Sequence, residues 1–136
     1  MSSSDNVIVG ATNYQLRLRG SSVVLNSSGA TVSSDSRKKN SIEALPDTYE
    51  TLLDTLRPVR FKFNDGTSGR YHVGFIAQEV EEALAGAGLS TQDFGGFVDI
   101  NGDRSELGLI YTEFIALLLK KMQRQEQRIA ALEAAN

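Results

Sequence analysis

The residues best suited to chemistry lie in one short polar run, which reads SDSRKK from Ser34 to Lys39. A serine hydroxyl is a weak nucleophile until a neighbouring base takes its proton, and a neutral lysine amine can be that base. Ser34 and Lys39 are therefore a candidate nucleophile and base. The residues alone leave two alternatives open: the run can be a solvated loop leading into a helix, and Ser33 with Lys38 has the same spacing.

The order of motifs after this run is more specific than the run itself. The pattern Ser34-Asp35-x-Arg37-x-Lys39 is followed by the block HVGFIAQEV, which begins at His72, and then by Tyr111 at the start of a long terminal helix. In that order, residues 34–136 resemble the peptidase S74 domain. Members of that family are the C-terminal intramolecular chaperones of phage tailspikes, tail fibres and endosialidases.

The resemblance implies an activity and its residues. It implies a homotrimeric domain that helps its own N-terminal fibre passenger to assemble, then acts as a single-turnover serine peptidase and cuts between Ser33 and Ser34. Lys39 would be the base, with Asp35 and His72 as further catalytic candidates. The residues also allow purely structural roles for Asp35 and His72. They do not distinguish direct proteolysis from an N-to-O acyl shift followed by hydrolysis. Lys39 must be neutral to act, and desolvation at a subunit interface or repulsion from Arg37 and Lys38 would favour that form.

The location that the resemblance implies is a phage virion tail made in the host cytoplasm, with the chaperone part released after cleavage. The alternative function is a non-cleaving trimerisation or capping module of a fibrous protein. Composition agrees with either, because 136 residues with 40% apolar content suit one small domain with a modest core. A net charge of -3 argues against a nucleic-acid partner, and no apolar run has the roughly 18 to 20 residues needed to cross a membrane, so we expect a soluble chain without a targeting segment.

No cofactor or metal is expected. The chain has no cysteine, so it has neither disulfides nor a cysteine zinc site. Asp99, Asn101, Asp103 and Ser105 imitate the alternating ligands of a calcium loop, but Arg104 occupies the position that needs glycine, and Ile110 the position that needs glutamate. A type I′ turn at Asn101-Gly102 explains these residues instead.

We expect an α+β fold, a small mixed domain with β-hairpins and short helices that ends in a long C-terminal helix. Residues 1–33 have short β segments (7–9, 14–19 and 23–25) between glycine and serine clusters, which favours the C-terminal stub of a fibre passenger. The alternative is an ordinary β-hairpin extension of the downstream domain. Residues 34–110 would form the chaperone and self-cleaving body. Its predicted elements are a helix that begins with a capping box at Asp47 and ends before Pro58, a hairpin turning at Asp65-Gly66, a helix from Ala77, and a second hairpin around Asn101-Gly102.

Residues 111–136 carry a heptad pattern. Apolar side chains recur at spacings of three and four with one polar layer, and they form a seam of Ile115, Leu118, Met122, Gln125, Ile129 and Leu132. Lys121 and Arg128 fall at g positions, with Glu126 and Glu133 at the following e positions, so opposite charges would meet across a parallel pair. Leu117 and Leu119 widen the stripe and would favour docking on the body. The pattern predicts a parallel coiled coil, and only the resemblance makes it a trimer.

Overall fold

The computed structural model describes residues 23–26 and 29–136, and it divides the chain into two compact units, 1–42 and 43–136. In the first unit, strands β1 (Val23–Asn26) and β2 (Gly29–Val32) form an antiparallel hairpin. A single 3-10 turn, Ser36–Lys38, follows it. The predicted strand at 23–25 is therefore present, whereas those at 7–9 and 14–19 lie outside the described residues.

The second unit alternates short helices with two-stranded sheets. Its helices are α1 (Thr48–Thr55), α2 (Ala77–Gly86) and α3 (Glu113–Ala134), and its antiparallel hairpins pair β3 (Val59–Phe61) with β4 (His72–Gly74) and β5 (Phe97–Asp99) with β6 (Leu107–Leu109). This arrangement confirms the prediction of a small mixed domain that ends in a long helix.

The core of the second unit forms where the three helices meet the second hairpin. Phe114, in the first turn of α3, is buried between aromatic rings: Phe75 stacks on it at 5.1 Å between ring centroids, and Phe94 meets it edge-on at 5.0 Å. Such offset and edge-on aromatic pairs stabilise the fold by more than their buried area alone would. The other buried apolar side chains are Leu52, Val80, Ala83, Leu84, Phe97 and Leu117.

The predicted capping box at the start of α1 is wrong. Asp47 is the N-cap residue, but its side chain makes no capping hydrogen bond. Its carboxylate instead forms ion pairs with α3, at 3.1 Å to Lys120 Nζ and 3.2 Å to Arg124 Nη1. The helix ends as predicted, because Leu56 turns to the extended conformation two residues before Pro58.

The second hairpin is present, but its predicted type I′ turn is wrong. That turn needs a positive φ at both Asn101 and Gly102, whereas the positive values in this loop fall at Gly102 (77°) and Arg104 (63°). The loop is wider, since Ile100 N bonds Glu106 O, and the Asp99 carboxylate accepts hydrogen bonds from the amides of Gly102 and Arg104. A local carboxylate acceptor thus replaces the tight two-residue turn.

Candidate active site

Ser34 and Lys39 are in direct contact. Lys39 Nζ lies 2.6 Å from Ser34 Oγ, and both side chains are exposed. The 3-10 turn between them brings the ends together: Lys38 N donates to Asp35 O at 3.0 Å, and Lys39 N donates to Ser36 O at 3.1 Å. The geometry gives the hydroxyl a nearby amine that could take its proton.

Asp35 and Arg37 hold this turn from its N-terminal side. The Asp35 carboxylate accepts a hydrogen bond from Arg37 N at 2.9 Å, which caps the turn. The Arg37 guanidinium contacts both carboxylate oxygens, with Nε 3.0 Å from Oδ1 and Nη2 2.6 Å from Oδ2. The side-chain hydrogen bond from Arg37 lowers the pKa of Asp35, so its carboxylate stays ionised at neutral pH. The described contacts of Asp35 are thus those of a cap, and its predicted catalytic role stays a prediction.

His72 lies on β4 in the second unit, within an aromatic cluster at the β3–β4 hairpin. It pairs with Phe61 in the strand register, stacks on the Phe61 ring at 5.9 Å, and meets the Phe63 ring at 5.0 Å. Its side chain is exposed. These contacts account for a structural role, and the catalytic role predicted for His72 is untested.

The predicted seam lies on the exposed side of α3. Its members are exposed along the whole helix, including Met122 at 65% and Leu132 at 67% of their accessible surface. The face that packs on the body is a docking stripe of Phe114, Leu117, Lys121 and Arg124. The two stripes are offset by one residue, which is about 100° around the helix. One helix thus carries both a docking face and an uncovered apolar face.

Of two predictions about side chains of α3, the one for Leu119 is wrong and the one for Lys121 stays a prediction. Lys121, expected to face an oppositely charged residue of a partner helix, forms an ion pair within its own chain, 2.7 Å from Asp54 of α1. Leu117 docks on the body as predicted, but Leu119 is 53% exposed, because a residue two positions further along points to the opposite side of the helix. Acidic side chains of α1 thus pair with cations of α3 within the same chain.

The described part of the chain offers neither a metal site nor a membrane span. No group of three or more His, Asp or Glu side chains is arranged there to hold a metal ion. Among the described helices, none has the length and apolar content to cross a membrane.

Comparison with known proteins finds a match to the segment that contains Ser34, Lys39 and His72. The family model of peptidase S74, described as the chaperone of endosialidase, matches residues 34–89. Within this segment, the chain is similar to the peptidase S74 family. The first matched residue is Ser34, and the segment includes Lys39, His72 and the GFIAQEV block.

The chain is also similar to a curated phage protein and to a solved structure. The capsule K3-specific depolymerase 1 of Klebsiella phage KP32 is 41% identical over 69 residues, which cover 47% of this chain and 8% of that protein. A crystal structure described as a novel intramolecular chaperone aligns with a TM-score of 0.56 and 26% identity, over 70% of this chain and 99% of the other. The chain thus spans only a small part of the depolymerase and nearly all of the solved chaperone, and its fold is similar to that of the solved structure.

The structure also brings together two residues, Phe75 and Tyr111, that the sequence patterns did not connect. The Tyr111 hydroxyl accepts a hydrogen bond from Phe75 N at 3.1 Å and lies against Gly74, where a Cβ would fall 2.8 Å from Tyr111 Cζ. This contact fastens β4 to the start of α3. The one available signal was the glycine inside the H-x-G-F block, since a glycine can mark a close approach of another group.

Proposed function

We propose that this chain is the C-terminal intramolecular chaperone of a phage tail fibre or tailspike, and that it releases itself by cutting between Ser33 and Ser34. The contact between Ser34 Oγ and Lys39 Nζ is the observation that carries the proposal. The family match, which begins at residue 34, supports the position of the cut. In this proposal residues 1–33 are the stub of the passenger, residues 34–110 the self-cleaving body, and residues 111–136 the oligomerisation helix.

The proposed reaction needs only the chain and one water molecule. Ser34 Oγ attacks the carbonyl carbon of Ser33 while Lys39 Nζ takes the hydroxyl proton. The bond between Ser33 C and Ser34 N then breaks, the amine takes up a proton, and the Ser33 acyl group remains as an ester on Oγ. Water hydrolyses that ester, which leaves a carboxylate on Ser33 and restores the hydroxyl of Ser34.

Assembly would control the reaction through Lys39. Ser34 and Lys39 are exposed in the single chain. Burial against a neighbouring chain would favour the neutral amine that can act as a base. We therefore propose that the seam of α3 joins three copies in a parallel coiled coil, and that cleavage follows trimerisation. The cut would then report that the fibre has assembled.

Intact-mass spectrometry of freshly made protein tests the proposal. The wild type is expected to yield two fragments separated between Ser33 and Ser34, whereas Ser34→Ala and Lys39→Ala stay whole. Ser36→Ala and Lys38→Ala are matched controls from the same turn, and both should be cut. If cleavage persists in Lys39→Ala but stops in Lys38→Ala, the nucleophile and base are Ser33 and Lys38, and this assignment is wrong. Hydroxylamine added during the reaction should trap the ester as a hydroxamate on Ser33.

A second candidate function is a trimerisation or capping module that does not cut. The exposed seam favours it independently of the dyad, because all five of the seam's large apolar side chains are exposed in the single chain. Light scattering decides between the two functions when combined with the mass data. An uncut wild-type chain that is nonetheless trimeric, and becomes monomeric in Ile129→Asp, would establish the module and exclude the peptidase.

A further inference from the structure

The link between Ser34 and Lys39 depends on one short turn. Five residues of extended chain span about 17 Å, which is further than a serine and a lysine side chain can bridge. The contact at 2.6 Å therefore requires the 3-10 turn at Ser36–Lys38. Whatever holds that turn also sets how often the hydroxyl and the amine meet.

Packing does not hold the turn, because none of its residues is buried. A lone 3-10 turn has poor hydrogen-bond geometry and rarely persists by itself. The described bonds that close it are two backbone bonds, from Lys38 N and Lys39 N, and the side-chain cap from Asp35 to Arg37 N. The cap is the one among these that depends on the identity of a side chain.

Arg37 fixes the orientation of that cap. A carboxylate at an exposed cap can rotate towards water, but here the planar guanidinium grips both oxygens while Oδ1 still accepts from the Arg37 amide. The fork of an arginine matches a carboxylate in this way, and a lysine does not. The interaction spans two residues, so it can form only when the chain is already bent.

We infer that Asp35 and Arg37 are positioning residues for the self-cleavage reaction, acting through the turn that brings Lys39 to Ser34. The inference rests on the proposed function and assigns Asp35 a different role from the catalytic one that the sequence suggests. Neither residue receives or donates the proton in this account. Asp35 caps the turn, and Arg37 orients the cap.

The test is a time course of cleavage after cell-free synthesis of the whole chain. Asp35→Ala is expected to slow cleavage about tenfold, whereas Asp35→Asn, which keeps an oxygen acceptor at the cap, should stay within about threefold of the wild type. Arg37→Met should slow cleavage about two- to fivefold, because an exposed pair contributes little alone. Lys38→Met is the matched control for lost positive charge in the same turn, and it should cleave at the wild-type rate.

A charge swap separates the cap from a simple ion pair. Asp35→Arg combined with Arg37→Asp keeps the opposite charges but places no acceptor at position 35, so cleavage should remain slow. Restored cleavage in the swap, or an Asp35→Asn rate as low as that of Asp35→Ala, would overturn the inference. A wild-type rate in Asp35→Ala would also overturn it, while Ser34→Ala and Lys39→Ala would still establish the peptidase. An uncut wild type instead defeats the proposed function, and this inference with it.

Discussion

Replacing Gly74 with alanine tests whether Tyr111 fastens the β3–β4 hairpin to helix α3. The backbone at Gly74 does not have a positive φ, so alanine is allowed there on conformational grounds. The obstacle is space, because the new Cβ would lie 2.8 Å from Tyr111 Cζ, whereas carbon atoms in contact prefer about 3.5 to 4.0 Å. The tyrosine ring must therefore move away from β4.

The expected cost follows from what that movement disrupts. Overpacking a filled site costs about 1 to 3 kcal/mol. Moving the ring also weakens the hydrogen bond from Phe75 N to the Tyr111 hydroxyl and the stacking of Tyr111 on Phe75, whose centroids are 6.3 Å apart. Tyr111 is 46% exposed, so water replaces part of the lost hydrogen bonding. We expect Gly74→Ala to lower the free energy of unfolding by about 1 to 3 kcal/mol in total.

Urea unfolding at one fixed chain concentration measures this loss, because any self-association makes stability depend on concentration. In a Tyr111→Ala background the clash is absent, so Gly74→Ala should then cost less than about 0.5 kcal/mol, which leaves a clear coupling term in the double-mutant cycle. Gly86→Ala is the matched control in helix α2, since beyond the helix's own backbone no atom lies within 4 Å of the Cβ that alanine would add, and it should be neutral or stabilising. Equal losses from Gly74→Ala in both backgrounds would refute the reasoning.

Three further predictions concern the second unit. Leu84→Ala, at a core side chain that is 1% exposed, should lower the free energy of unfolding by about 2 to 5 kcal/mol in urea titrations. Arg124→Ala removes one of the two cations that pair with Asp47, and the partner of Glu50, and should lower the free energy of unfolding by less than about 1 kcal/mol, a loss that shrinks in high salt. A larger loss that does not change with salt would contradict the ionic account. The hydrogen bond from Arg104 lowers the pKa of Glu81, so this pair stabilises the fold above the unfolded-state pKa, and the stabilisation is lost as pH falls through the lower folded-state pKa. Urea midpoints between pH 6 and pH 3 should therefore fall less in Glu81→Gln than in the wild type.

Local patterns predicted the local structure well. The heptad spacing placed the exposed seam of α3, and Asp65-Gly66 lies in the loop of the first hairpin, where Gly66 N bonds Phe63 O. That loop is longer than predicted, because the paired strands end at Phe61 and resume at His72. The five-residue spacing of Ser34 and Lys39 suggested a pair that the structure brings into contact, because one turn of chain is enough to close that distance.

Predictions failed where a distant residue competed for the same side chain. Asp47 has the sequence of a helix cap, but Lys120 and Arg124 lie 73 and 77 positions later and take its carboxylate. Asn101-Gly102 has the sequence of a tight turn, but Arg104 is drawn to Glu81 of α2 and Asp99 supplies the amides with an acceptor. One sequence alone does not show which charged residues, distant along the chain, come into contact. It was therefore not possible to predict that these contacts would prevail over the local cap and turn patterns.

The ion pairs between α1 and α3 fix the rotation of α3 about its own axis, and so determine where its seam faces. Lys121 and Arg124 continue the line of the buried Phe114 and Leu117, so apolar packing at the start of α3 passes into ionic contact further along the same docking stripe. Rotating the helix by one residue to bury the seam would separate those charges from Asp54 and Glu50. The body thus holds α3 with its seam facing water. From residue 122 onward every side chain is exposed, and the seam continues to Leu132 on a helix segment with no core of its own in the described chain. A helix of that kind gains its stability from packing against another helix, which is the physical reason that we expect the seam to be covered by copies of itself.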